Sequence, residues 1–272
     1  MAAPLMIESL RVDPGSKAKI AHRDPRDTLG FEGKKDGEKR LTRLHERLGD
    51  LHDRLYAEGR RSLLLVLQGL DASGKDGVIR SVFSGLNPQG CRVVSFKAPA
   101  STELAHDYLW RVHANLPARG EIGIFNRSHY EDVVVVRLLE LAPDKVWKRR
   151  PGHIREWERM LTDEGTTLVK VFLNVSKEEQ RRRFQQRVDD PAKRWKFRKD
   201  DLKVRARFDE YVAAWEDVVD ETSTEWAPWY VVPADHNWVK ALAVAEILAA
   251  ALEQMDPKAP DAEPGVAGLV IS

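Results

Sequence analysis

The sequence predicts an α/β fold built on a central parallel sheet with right-handed crossovers. Short apolar runs of strand length alternate along the chain with longer segments of helical period, the pattern produced by parallel strands and the helices that cover them. The first such run, Leu63-Leu64-Leu65-Val66-Leu67, leads into Gly69-Leu70-Asp71-Ala72-Ser73-Gly74-Lys75-Asp76 and then a helical segment. That is the strand, glycine loop, helix order of a phosphate cradle. The glycines let successive N–H groups point at one anion, the helix N-terminus adds its positive dipole end, and Lys75 reaches between neighbouring phosphates. The implied ligand carries at least two linked phosphates. With 272 residues, 42% of them hydrophobic, the chain can bury one full α/β core.

Each element has its own signature. Residues 1 to 36 are rich in Asp, Gly, Lys and Pro without a sustained period, and read as an extended arm lying on the domain. From Glu38 to about Arg60, Leu41, Leu44, Leu48, Leu51 and Leu55 recur at steps of three and four, one face of a helix that packs on the sheet or on another subunit. After the 63–67 strand and its loop come a helix near Lys75 to Leu86, a strand near Arg92 to Phe96 and a helix near Thr102 to Ala114. Gly123-Ile124-Phe125 is the next strand, ending at Asn126, and is followed by helices from about Ser128 to Leu139 and near Gly152 to Thr162. A strand at Thr167 to Leu173 precedes a helix opening at Ser176, which Asp189-Asp190-Pro191 interrupts. The last pair is the strand Trp229 to Val232 and a helix from about Trp238 to Met255. Residues 37 to 255 are thus expected to form one domain, and the Ala-, Pro- and Asp-rich 256 to 272 a disordered tail.

Composition excludes several classes of function. A net charge of +1 provides no global attraction to nucleic acid or to an anionic membrane. The single cysteine, Cys91, has no internal disulfide partner and begins an apolar run, as a small buried residue would. No basic-then-apolar stretch opens the sequence, and no apolar run approaches the ~20 residues that span a bilayer. A soluble protein of the reducing cytoplasm is expected.

The loop differs from an ordinary ATPase loop. Asp76 stands where Ser or Thr would ligate a metal, and Asp71 places a carboxylate inside the cradle. A phosphate chain repels that carboxylate unless a cation sits between them, so Asp71 implies a bridging Mg2+. Two further segments should meet the loop, because ligands of parallel sheets bind at the carboxyl ends of the strands. In Asn126-Arg127-Ser128-His129-Tyr130-Glu131-Asp132, Asn126 occupies the strand end where a metal-holding Asp is usual. Glu131 and Asp132 supply charge one turn later, Arg127 faces the phosphates, and His129 reads as a structural residue rather than a base. Such an acidic first turn would equally suit a bare helix N-terminus. Lys177 to Arg207 holds thirteen Lys or Arg against six Asp or Glu, and its Arg194-Trp195-Lys196-Phe197-Arg198 follows the helix break. This is the make-up of a mobile basic lid, expected at about 188 to 200, that closes over phosphates and excludes water; a solvated helix face has the same charge pattern.

Together GLDASGKDG, IFNRSHYEDV, DEGTTLVKVFLNVSKEEQ, PAKRWKF and TSTEWAPWYVVPA resemble the polyphosphate kinase 2 family, and the NRSHYED form resembles its class III branch. The resemblance covers about residues 20 to 250. It implies a P-loop kinase fold of the thymidylate-kinase-like, three-layer type with a helical lid, and transfer of the terminal phosphoryl group of inorganic polyphosphate to AMP and ADP. Carried over by position, it gives Asp71, Lys75, Arg127 and Glu131 as catalytic residues and Asp71, Asn126 and Glu131 as holders of Mg2+, with Mn2+ as an alternative ion. Gly69, Ala72, Ser73, Gly74, Asp76 and Gly77 then line the phosphate loop, and Arg187, Arg194 and Lys196 come from the lid. Lys97 and Arg111 are candidates for the acceptor side. Branches with one acceptor type resemble this chain with the pair exchanged, Asp at the place of Asn126 and Asn at the place of Glu131. The resemblance also implies a homodimer or homotetramer. The competing reading, an ATP-dependent nucleoside monophosphate kinase, shares the fold and lid but not Asp71, Asp76 or the NRSHYED segment. A nucleic-acid binder using the basic run fits poorly with the near-neutral total charge.

Overall fold

Leu63 to Leu67 can all be apolar because both faces of their strand are covered. A computed structural model describes residues 3–266 and 268–271. Its strands are β1 (Arg11–Val12), β2 (Ser62–Gln68), β3 (Cys91–Ser95), β4 (Ile122–Asn126), β5 (Thr166–Asn174) and β6 (Trp229–Pro233). Its helices are α1 (Ala3–Leu10), α2 (Lys34–Glu58), α3 (Lys75–Val82), α4 (Ser101–Leu104), α5 (Trp110–His113), α6 (Glu131–Leu138), α7 (Asp144–Trp147), α8 (Arg150–Asp163), α9 (Lys177–Asp189), α10 (Asp200–Ala206), α11 (Phe208–Thr222) and α12 (Asn237–Met255). The sheet order is β1-β6-β5-β2-β4-β3, parallel from β6 to β3.

Period-two alternation along β5 separates the two helical layers. Lys170 and Phe172 face α8 and α11, where they meet Glu158 and Trp215, while α12 packs on β5 and is itself flanked by α2 and α3. The leucine stripe of α2 is buried within the chain, where α2 packs on α12 rather than directly on the sheet. Because β2 lies between β4 and β5, the chain leaves it first towards one edge of the sheet and later towards the other. The carboxyl end of β2 is therefore the switch point, the place where sheets of this kind bind their ligands.

Several elements differ from the sequence expectation, among them the short helices α7 and α10, which were not expected. The N-terminal arm is not wholly extended: it holds α1, and its β1 pairs antiparallel with β6, Arg11 opposite Tyr230 and Val12 opposite Trp229. The segment 102–114 splits into α4 and α5 because the Asp107 carboxylate caps the Leu109 N–H (2.9 Å) and turns the chain. The helix expected from Ser128 begins at Glu131, after a turn closed by the Glu131 N–H on the Ser128 carbonyl (3.1 Å). The amphipathic α11 was not anticipated, although Phe208, Tyr211, Trp215, Val218 and Thr222 carry its buried face. The described part of the tail, 256–266 and 268–271, contains neither helix nor strand; residues 267 and 272, like residues 1 and 2 of the arm, lie outside the described residues. Among the described residues no helix is long and apolar enough to cross a membrane. Cys91 is half-buried, and burial raises its thiol pKa to about 11, so it stays protonated.

Candidate active site

The register of the sheet brings the glycine loop and the 126–132 segment to one level. Asn126 pairs with Leu67 on one side and with Ser95 on the other, so both segments leave the sheet from the same edge. The loop backbone needs glycine at both ends. Gly69 has φ +147° and a Cβ there would lie 2.8 Å from the Leu173 carbonyl; Gly74 has φ +101° and a Cβ there would collide with Lys240 Nζ. Ala72 and Arg127 also adopt left-handed backbone, φ +63° and +64°, and backbone strain of this kind gathers at functional sites.

Arg127 is the hinge of the charge arrangement. Its guanidinium pairs with Asp71 of the loop and lies 3.6 Å from Glu131, while its own N–H is fixed on the Leu67 carbonyl (3.1 Å). Glu131 also accepts from Gln68, whose amide, oriented to satisfy both ends, donates to Glu131 and accepts from Ser128 (2.9 Å each). Lys75, only 8% exposed, donates to the carbonyls of Gly69 (2.6 Å) and Leu70 (3.4 Å). Burial, helped by nearby Arg127, lowers its pKa to about 8. Burial works to raise the Asp71 pKa, but Arg127 and Lys75 outweigh it and hold the carboxylate below its ordinary value. For Glu131 burial prevails and the pKa is raised.

The remaining expected site residues fall into three groups. Asp76 is exposed and accepts from the Asn126 amide (2.8 Å), so that amide nitrogen is committed to the loop. Ala72 and Ser73 are buried within the loop, and Gly77 is exposed in the first turn of α3. Arg187, on α9, is close enough to Asp71 to help lower its pKa. Arg194 and Lys196 are instead tied within the lid: Arg194 donates to the Val188 carbonyl (2.8 Å) and Lys196 lies over the Trp195 ring (5.1 Å). Arg111 is buried between Glu103 (3.6 Å) and Asp132 (3.5 Å) and donates to the Lys97 carbonyl (2.8 Å), while the Lys97 side chain is exposed. The oxygen donors that face the loop, Asp71 and Glu131, are hard ligands of the kind that suit Mg2+ completed by phosphate and water.

Beneath the 126–132 segment lies a buried cluster that the sequence did not reveal. Glu158 and Lys170, both fully buried, pair at 2.6 Å; Lys170 also donates to the Tyr130 hydroxyl (3.0 Å) and the Thr222 carbonyl (2.7 Å), and Tyr130 donates to Glu158 (2.7 Å). His129 packs beside them with neither ring nitrogen hydrogen-bonded, and burial lowers its pKa, so it is a neutral structural ring. A helix-face signal could not have found Lys170, because it interrupts an otherwise apolar strand; that interruption was the available clue.

The chain is similar over most of its length to proteins named as polyphosphate phosphotransferases. An AMP/ADP-polyphosphate phosphotransferase of Meiothermus ruber is 52% identical over 266 residues, 97% of this chain and 100% of that one. An ADP-polyphosphate phosphotransferase of Rhodopseudomonas palustris is 43% identical, covering 94% of this chain and 93% of that one. The crystal structure of polyphosphate kinase 2 from Arthrobacter aurescens TC1 superposes with a TM-score of 0.92 at 42% identity, covering 96% of this chain and 94% of the other. The profile of the family described as polyphosphate kinase 2 matches residues 32–260, and the chain, with its carboxylate-bearing phosphate loop tied to the neighbouring strand end, belongs to that family.

Proposed function

We propose that the protein transfers the terminal phosphoryl group of inorganic polyphosphate to AMP and to ADP, giving ADP and ATP, as a class III member of its family. The observation that carries this reading is the Asp71–Arg127 pair, which puts a carboxylate inside the phosphate loop in a chain 52% identical to an AMP/ADP-polyphosphate phosphotransferase. Lys75 and the orphan N–H groups at the start of α3 receive the phosphate chain. Arg127 turns its planar fork towards the equatorial oxygens of the transferred group, and Arg187 approaches from the lid side. A loose, metaphosphate-like transition state needs in-line positioning and cations rather than a covalent intermediate, and the acceptor phosphate is already an anionic nucleophile. Mg2+, held by Asp71 and Glu131, would supply further positive charge to the phosphate oxygens. Closure of the 188–200 lid excludes water, which otherwise competes as acceptor. The reaction belongs in the cytoplasm, where the nucleotides are.

The carboxylate at Glu131, with Asn126 at the strand end, supports use of two acceptors. Carboxylate charge set one helical turn from the strand end fits both a monophosphate and a diphosphate acceptor. Incubation with Mg2+, long-chain polyphosphate and AMP, without ATP, should give ADP and then ATP. No product there, with ADP formed once ATP replaces polyphosphate, would move the assignment to an ATP-dependent nucleotide kinase. Glu131→Asn should change the ratio of AMP to ADP use, and an unchanged ratio in a folded variant would remove the argument from the exchanged pair.

A further inference from the structure

Two basic side chains stand behind the phosphate loop rather than in it. Arg183 on α9 donates through Nη1 to the carbonyls of Ala72 and Ser73 (2.9 Å each), and Lys240 on α12 donates through Nζ to the same Ser73 carbonyl (2.9 Å). Both are anchored in turn to the end of β6: Arg183 Nη2 donates to the carbonyls of Ala234 (2.7 Å) and Asp235 (2.8 Å), and Lys240 lies 3.4 Å from the Ala234 carbonyl. Glu179 accepts from Arg183 Nε (2.7 Å) and fixes the guanidinium plane. Lys240 is 2% exposed, so no ligand in the cradle touches it.

The consequence follows from peptide geometry. The C=O and N–H of one planar trans unit point in opposite directions. Two donors that pull the Ser73 carbonyl backwards therefore turn the Gly74 N–H forwards, beside the unpaired N–H groups that open α3. The Ser73 N–H is not part of this set, because it closes a turn on the Leu70 carbonyl (3.0 Å). Gly74 completes the arrangement: the space a side chain would fill is taken by the Lys240 ammonium.

We propose that Lys240 and Arg183 are positioning residues that lock the Ser73–Gly74 peptide, so that the loop presents its N–H groups to the phosphate chain. This rests on the reading of the loop as the polyphosphate site, and its test is read by binding as well as by turnover. Calorimetry with tripolyphosphate and Mg2+ should show affinity weakened about tenfold or more in Lys240→Met and in Arg183→Gln, the scale of one lost buried hydrogen bond. Lys240→Gln, which keeps a donor, should fall between Lys240→Met and the parent. The KM for AMP should stay within about threefold of the parent, since the acceptor does not use this peptide. Tripolyphosphate affinity within about twofold of the parent in Lys240→Met with a cooperative melt would overturn the proposal. Should Lys240→Met not fold, Arg183→Gln decides by the same criterion. A parent protein that binds tripolyphosphate but transfers nothing to AMP overturns the proposed function instead, and the affinity comparison still decides the role of Lys240.

Discussion

Lys170→Met should be among the most damaging single changes in this protein, although Lys170 touches no substrate. Its ammonium makes three contacts inside the core, to Glu158 at 2.6 Å, the Thr222 carbonyl at 2.7 Å and the Tyr130 hydroxyl at 3.0 Å, with no exposure of either charged partner. Methionine fills the space but leaves Glu158 with the Tyr130 hydroxyl as its hydrogen-bond donor and the neutral His129 ring 3.7 Å away. Removing one partner of a buried pair costs about 3–5 kcal/mol, a large part of the total stability of an ordinary domain. At about 2–4 °C per kcal/mol for a chain of this size, the melting temperature should fall by about 6–20 °C. The double variant Lys170→Met with Glu158→Leu removes the stranded charge and should recover at least half of the loss, because an apolar replacement of a whole buried pair is often close to neutral. Thermal melts and urea titrations followed by circular dichroism on the parent, both single variants and the double give the coupling energy directly. A single variant that loses less than about 1 kcal/mol, or a double variant no more stable than the worse single, would refute the reasoning.

Other expectations follow from the same geometry. Lys75, with its pKa lowered to about 8, carries its charge below that pH and loses it above, so kcat/KM for polyphosphate should fall as pH rises through about 8. A profile flat to pH 9.5 would show that Lys75 does not carry the binding charge (roughly 30-fold deprotonation at a pKa of about 8). Polyphosphate affinity should fall steeply with salt while AMP affinity changes little, since a long polyanion engages many cations; equal slopes would exclude an extended basic groove. Ser176 caps α9 by accepting the Glu179 N–H (3.1 Å) and donates to Asp235 (2.7 Å), so Ser176→Ala should lower stability by about 1–2 kcal/mol in a urea titration.

Legibility in the sequence followed the range of the interactions. The five parallel strands, the glycine loop and the start of α9 at Ser176 were readable because each is signalled by neighbours in the chain: an apolar run, two glycines, a capping serine. The end of α9 at Asp189 was readable for the same reason, since Pro191 forbids its continuation. What could not be read depends on partners far apart. β1 is only two residues long and exists because β6 offers it an edge, Val12 and Trp229 standing far apart in the chain. Arg183 looked like one more charge in a basic run, and only the fold turns it away from solvent onto Ala72 and Ser73. Lys240 gave no signal as a site residue, because its role depends on α12 passing behind a loop 166 residues earlier in the chain than Lys240 measured from Gly74. The same applies to Arg111, whose spacing says nothing of the two carboxylates that enclose it.

The carboxylates of the loop explain why so basic a task is given to a nearly neutral site. A cradle of cations alone would attract every part of a phosphate chain about equally, and uniform attraction lowers KM without raising kcat. Here Asp71 and Glu131 cancel part of the field of Arg127 and Lys75, and Asp76 engages Asn126, so the general attraction is reduced while individual donors keep fixed directions. The pairing also keeps buried charge from standing alone, which would cost several kcal/mol per ion. Directed donors in a field close to balance reward a change of charge at one atom more than the mere presence of charge, and that is the condition under which binding energy is expressed in the transition state. The buttress of Arg183 and Lys240 serves this end from outside the cradle: it adds direction to the loop N–H groups without placing another mobile cation against the phosphates.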